Sequence, residues 1–136
     1  MADAEPRTAS TLTEMMRRRA ALTPDKQYFD LYGETVTYGR LWEQSGRFAA
    51  ALAGAGLRAG EKVCLIYPTC AEFFYTFVGA LWIGAVPVPI YPTLGVEGTA
   101  RILRATRPTH WRASRWTSCS CLRVRRRAWM DWAPRA

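Results

Sequence analysis

Histidine and lysine are nearly missing from this sequence. His110 is the only histidine, and Lys26 and Lys62 are the only lysines. A zinc site needs about four ligands at workable spacing. Cys119 and Cys121 form a lone C-x-C with no second pair, and His110 lies nine residues before Cys119, so a metal centre and a disulfide framework are both disfavoured. Cys64 and Cys70 fall in or beside an apolar segment and read as buried reduced thiols. The N-terminus has acids and no apolar run, so no secretory signal is visible; Asp3, Glu5 and Glu14 argue against a mitochondrial presequence. The expected compartment is the cytoplasm.

Charge is abundant but uneven. The 136 residues carry a net charge of +8, which invites a nucleic-acid reading. Residues 1–109 hold 12 Lys and Arg against 10 Asp and Glu, whereas residues 110–136 hold 7 Arg against Asp131 alone. The excess therefore sits in the last segment, with Trp111, Trp116, Trp129 and Trp132, four of the six tryptophans. The chain divides into a flexible N-terminus (1–10), a nearly neutral unit (11–109) and a basic Trp/Arg-rich tail (110–136).

No charged residue occurs from Phe73 to Val96, a length sufficient to span a bilayer. Pro87, Pro89 and Pro92 lie in its second half and would break a helix there. A helix ending at Gly84 followed by an apolar strand is the better reading, with no transmembrane span.

The neutral unit has clear punctuation. Thr11 and Glu14 have capping-box spacing ahead of a helix with a sparse apolar stripe (Leu12, Met15, Met16, Leu22) and Arg17, Arg18 and Arg19 near its end. Pro24 stops it. Strands at 27–31 and 35–38 flank a Tyr32-Gly33-Glu34 turn. A long helix over 39–55 follows from the recurrence of Leu41, Trp42, Ser45, Phe48, Ala49 and Leu52. Gly54-x-Gly56 closes that helix and is a C-cap, since a dinucleotide loop would open one. Lys62 to Tyr67 reads as a strand buried on both faces. Thr69 and Glu72 have capping-box spacing before a helix ending near Ile83, and Val86 to Ile90 is extended. These three make a parallel βαβ unit, expected to cross over right-handed. A helix over 97–106 ends at Arg107-Pro108-Thr109. An α/β pattern would then supply another apolar strand, and the sequence shows none.

These ordered segments resemble the adenylate-forming acyl ligases: acyl-CoA synthetases, fatty-acyl-AMP ligases and peptide-synthetase adenylation domains. Val36-Thr37-Tyr38-Gly39-Arg40-Leu41 is similar to their first core motif, with Arg40 where the family prefers Glu. Leu57 to Val63 resembles the family's GLRPGDRV segment. Leu81 to Pro92, ending Val-Pro-Ile-Tyr-Pro, resembles the second core motif and is most similar to long-chain acyl-CoA synthetases and fatty-acyl-AMP ligases.

The resemblance implies an α/β fold: an incomplete N-terminal subdomain of the ligase fold with a βαβ unit, plus an irregular or disordered tail. It also implies a parent reaction in which ATP activates a fatty-acid carboxylate as acyl-AMP, with Mg2+. The acyl group then passes to CoA or to a carrier-protein thiol. Such chemistry needs a Gly/Ser/Thr-rich phosphate loop with lysine, acids for ribose and magnesium, and a cation for developing charge. In the family those parts come after the portion that this sequence resembles, and no Ser/Thr/Gly-rich loop with a lysine occurs here. The expectation is therefore no catalytic, cofactor-binding or metal-binding residue in this chain, and no activity from it alone. Fatty acid, ATP and CoA or acyl carrier protein are partners of the full-length parent only.

Residues from about 110 lack helical or strand periodicity. Their Arg, Trp, Ala, Ser, Cys and Pro composition is what a GC-rich gene yields out of frame, so the expectation is a frameshifted tail. The alternative is a small basic protein binding nucleic acid or an anionic membrane through Arg112, Arg115, Arg123 and Arg125–Arg127. With its neighbouring strands missing, the sheet would keep open apolar edges and fold marginally.

Overall fold

The computed structural model describes residues 11–113. Expectations for residues 1–10 and 114–136 lie outside them.

Helix α1 (Leu12–Leu22) starts on Thr11, whose hydroxyl accepts the Glu14 amide at 3.2 Å. Only half of the expected capping box is recorded. The Glu14 carboxylate turns instead to Arg17, at 2.7 Å. Of the apolar stripe only Met16 is buried; Leu12, Met15 and Leu22 are exposed. Strands β1 (Gln27–Leu31) and β2 (Glu34–Thr37) form an antiparallel hairpin. Leu31 pairs with Glu34, so the loop is Tyr32-Gly33, and both residues have positive φ (53° and 83°). That is the geometry that matches strand twist in a two-residue turn. Asp30 secures it, accepting from the Gly33 amide at 3.3 Å and the Thr35 hydroxyl at 2.9 Å.

Helix α2 (Tyr38–Gly54) is capped by Thr37, which accepts the Arg40 amide at 3.2 Å. It closes with Gly56 in the left-handed region (φ 92°). The Gly56 amide donates to the Ala53 carbonyl and the Leu57 amide to the Leu52 carbonyl. Both bonds are those of a Schellman motif, and Leu52 and Leu57 share one apolar cluster. The glycine pair is a helix end, as its position after α2 predicts.

Strand β3 (Lys62–Ile66), helix α3 (Ala71–Trp82) and strand β4 (Val86–Ile90) make the βαβ unit, with β3 and β4 parallel. Helix α3 ends with the same two bonds as α2, from Gly84 to Leu81 and from Ala85 to Ala80. Helix α4 (Gly95–Thr106) follows a single 3-10 turn (Pro92–Leu94). It ends on Arg107 in the left-handed conformation (φ 45°), ahead of Pro108. No helix among the described residues is long and apolar enough to cross a membrane. The uncharged stretch from Phe73 to Val96 is α3, β4 and the start of α4.

Two expectations are corrected. Thr69 does not cap α3. That helix begins one residue later, with Cys70 at the cap position and no side-chain cap bond. A strand does follow α4: β5 (His110–Ala113) pairs in parallel with β3, Val63 opposite His110. The packed unit thus continues past residue 109, and the sheet has the order β4-β3-β5. Composition hides this strand because an end strand is held by main-chain bonds, which carry no side-chain signature. β3 is thereby flanked on both sides, with β4 and β5 as the end strands among the described residues.

The core follows from the period of two along β3. Val63 and Leu65 pack with Leu52, Leu57, Ala80 and Ala85 on the α2/α3 side. Cys64 and Ile66 pack with Ile90, Ile102 and Leu103 on the α4 side. Val63, Cys64 and Leu65 are fully buried, each Val or Leu contributing about 1.5–3 kcal/mol relative to exposure. A further cluster of Met16, Val36, Leu41, Ala71, Tyr75 and Val78 joins α1, the hairpin, α2 and α3.

Candidate functional site

In parallel α/β sheets, ligands bind outside the carboxyl ends of the strands. Here Tyr67, Pro68 and Thr69 leave the end of β3, while Ile90 and Tyr91 leave β4. Together with Pro89 and with Phe73 and Phe74 of α3, they line a cleft of about 130 Å³. Its wall is almost wholly apolar and no lining residue is charged. The Tyr67 hydroxyl lies 3.5 Å from Thr76 Oγ1, which itself donates to the Glu72 carbonyl at 2.7 Å. Phe73 and Phe74 meet edge to face at 5.3 Å. A cavity of about 150 Å³ takes one benzene ring, so the cleft suits a ring or a short aliphatic segment. Its polar side-chain groups are the hydroxyls of Tyr67, Thr69 and Tyr91, and it offers no charged side chain to a carboxylate or phosphate.

Of the titratable groups on or beside this sheet, Cys70 lies next to the cleft-lining Thr69, whereas Glu61, Lys62 and His110 lie at the opposite end of β3. Burial pushes the Cys70 thiol up to about 11, with amides at the start of α3 opposing that shift only in part. It is a thiol, not a thiolate, at neutral pH. Burial likewise raises Cys64, whose Sγ lies 4.0 Å from Thr106 Oγ1. Lys62 Nζ is engaged by the Thr106 carbonyl at 3.1 Å. His110 Nδ1 is buried without a hydrogen-bond partner, 4.0 Å from the nearest Glu61 carboxylate oxygen. Glu61 itself accepts the Arg58 amide at 2.8 Å. Among the described residues, no group of His, Cys, Asp and Glu is placed to hold a metal ion. The described side chains therefore do not fit Mg2+.

The two core motifs have structural work to do. Thr37 caps α2, and Arg40, standing where a glutamate would complete the capping box, reaches Glu34 of the hairpin at 2.7 Å. The second motif forms the end of α3, the turn at Gly84 and the whole of β4. The cleft itself was not read from the sequence. The available signal was positional: Tyr67-Pro68-Thr69 and Tyr91 follow directly on two strands expected to be parallel.

Residues 16–118 match the family described as AMP-binding enzyme. An uncharacterized protein of Mycobacterium tuberculosis, Rv1549, is 36% identical over 90 residues, covering 65% of this chain and 51% of that protein. A long-chain-fatty-acid–CoA ligase of Yersinia pestis is 34% identical over 92 residues, covering 67% of this chain and 16% of the ligase. The crystal structure of a fatty acid AMP ligase from Legionella pneumophila superimposes with a TM-score of 0.69 at 28% identity, covering 76% of this chain and 19% of that one. This chain thus spans about half of the Mycobacterium protein and under a fifth of the two ligases. The described residues form part of the N-terminal subdomain of the adenylate-forming ligase fold. With the match running from within α1 to beyond β5, the chain belongs to the AMP-binding enzyme family.

Proposed function

We propose that this chain is the N-terminal piece of an adenylating fatty-acid ligase and is catalytically silent alone. In the parent reaction, a carboxylate oxygen attacks the α-phosphorus of ATP. Acyl-AMP forms and pyrophosphate leaves. A thiol of CoA or of a carrier protein then attacks the acyl carbon, and AMP leaves as the thioester forms. ATP, Mg2+ and the acceptor thiol are partners of that parent. This chain supplies a scaffold: β3 with its flanking helices, and a hairpin tied to α2 by Arg40. The reading assigns it to the cytoplasm, with no nucleic-acid partner.

The observation that carries the proposal is the pair of core motifs, Val36–Leu41 and Leu81–Pro92, in family order and within the family match. The lack of any charged side chain in the cleft supports the silence. The same reading takes the residues from about 110 onward as read out of frame. Sequencing the gene through and past this segment tests it. The expected result is ligase sequence resuming in another frame; two alternative frames without it would overturn the proposal.

A further inference from the structure

Ala113 pairs with Ile66 in the parallel ladder of β3 and β5. The chain therefore leaves β5 at the end of the sheet where Tyr67 leaves β3 and Tyr91 leaves β4. That end carries the apolar cleft. Neighbouring strands lie about 4.8 Å apart, so the gap between the ends of β3 and β4 is roughly 7 Å from the end of β5. Three residues span at most about 10 Å. Trp116 is the third residue after Ala113 and the first aromatic after the strand.

The chemistry of the cleft selects such a side chain. Phe73, Phe74, Pro89 and Ile90 give it apolar walls, and a volume of about 130 Å³ suits one six-membered ring. The benzo half of an indole is that ring. An indole N–H needs an acceptor when it is buried, and the Tyr67, Thr69 and Tyr91 hydroxyls of the lining can accept. No lining residue is charged, so an arginine would lose water there and gain no ion pair. Arginine is the commonest residue of the segment 114–136, and that chemistry keeps it out of the cleft. Trp129 and Trp132 carry the same ring, but the cost of closing a loop rises with its length, and Trp116 closes the shortest one. We infer that the cleft is an intramolecular docking site and that its occupant is the indole of Trp116 of this same chain. A seated Trp116 blocks the cleft to any other ring or acyl segment. The inference rests on where the chain leaves the sheet and on the lining residues. It is independent of the proposed ligase origin and of the frame in which the segment arose.

Fluorine NMR of the full chain labelled with 5-fluorotryptophan tests it, with Trp116→Phe identifying the signal of residue 116. The expected result is a Trp116 signal shielded from a soluble paramagnetic agent. Tyr91→Ala removes a lining side chain that is 69% exposed, and should leave the fold intact while shifting that signal and opening it to the agent. Free indole gives a second reading. It should raise the unfolding temperature of Trp116→Ala with concentration, as a ligand of the folded state does, and leave the unsubstituted chain and Trp129→Ala unchanged. Where Trp116→Ala fails to fold, the fluorine measurement decides alone. A Trp116 signal fully open to the agent, shielding of Trp129 or Trp132 in its place, or equal stabilisation of the unsubstituted and Trp116→Ala chains by indole would each overturn the inference.

Discussion

Gly79 sits where α3 crosses α2. A Cβ there would lie 2.9 Å from the Ser45 carbonyl oxygen and 3.0 Å from the Ala49 nitrogen. Both are backbone atoms that cannot rotate away, so Gly79→Ala should push the helices apart and cost about 1–3 kcal/mol. The neighbouring stack of Trp42 on Trp82, with ring centroids 3.7 Å apart, would be disturbed with it. Gly54 is the internal contrast: nothing lies within 4 Å of its Cβ position, and Gly54→Ala should be neutral or stabilising by up to about 1 kcal/mol. Urea unfolding of both variants checks the pair. Gly79 was not legible in the sequence, where Phe77-Val78-Gly79-Ala80 reads as any apolar helix. Its role comes from residues on another helix, far earlier in the chain. The burial of Val63 and Leu65 was legible, because a strand covered on both faces has no polar alternation to lose.

Elements were legible where short-range chemistry punctuates them. Thr11 and Thr37 cap their helices as their spacing implies, and the glycines after α2 and α3 close them. Thr69 failed because capping-box spacing does not say at which residue the helix starts. Strand β5 failed because an end strand needs no apolar run. Arg40 tests how local a family motif is. Its ion pair with Glu34 has half-exposed partners (49% and 48%), worth at most about 1 kcal/mol. Arg40→Glu would lose that pair and set two carboxylates together, but would complete the capping box on Thr37. The two effects nearly cancel, so the change in stability should stay within about 0.5 kcal/mol. Thr37→Ala removes the cap and should cost about 1 kcal/mol. Thermal unfolding separates the two outcomes.

At the scale of the molecule, β3 has a strand on each side and helices on both faces, so the core is more complete than the sequence implied. The functional parts are a different matter. The cleft at the strand ends is apolar, both described cysteines are held as thiols, and Lys62 is engaged by a carbonyl. The fold belongs to an adenylating family, while no residue lining the cleft is charged. The most direct measurement is exchange of labelled pyrophosphate into ATP by the purified chain with Mg2+ and a series of fatty acids, beside a full-length ligase as control. The account predicts exchange by the control and none by this chain at any acyl length. Fatty-acid-dependent exchange by this chain alone would contradict it.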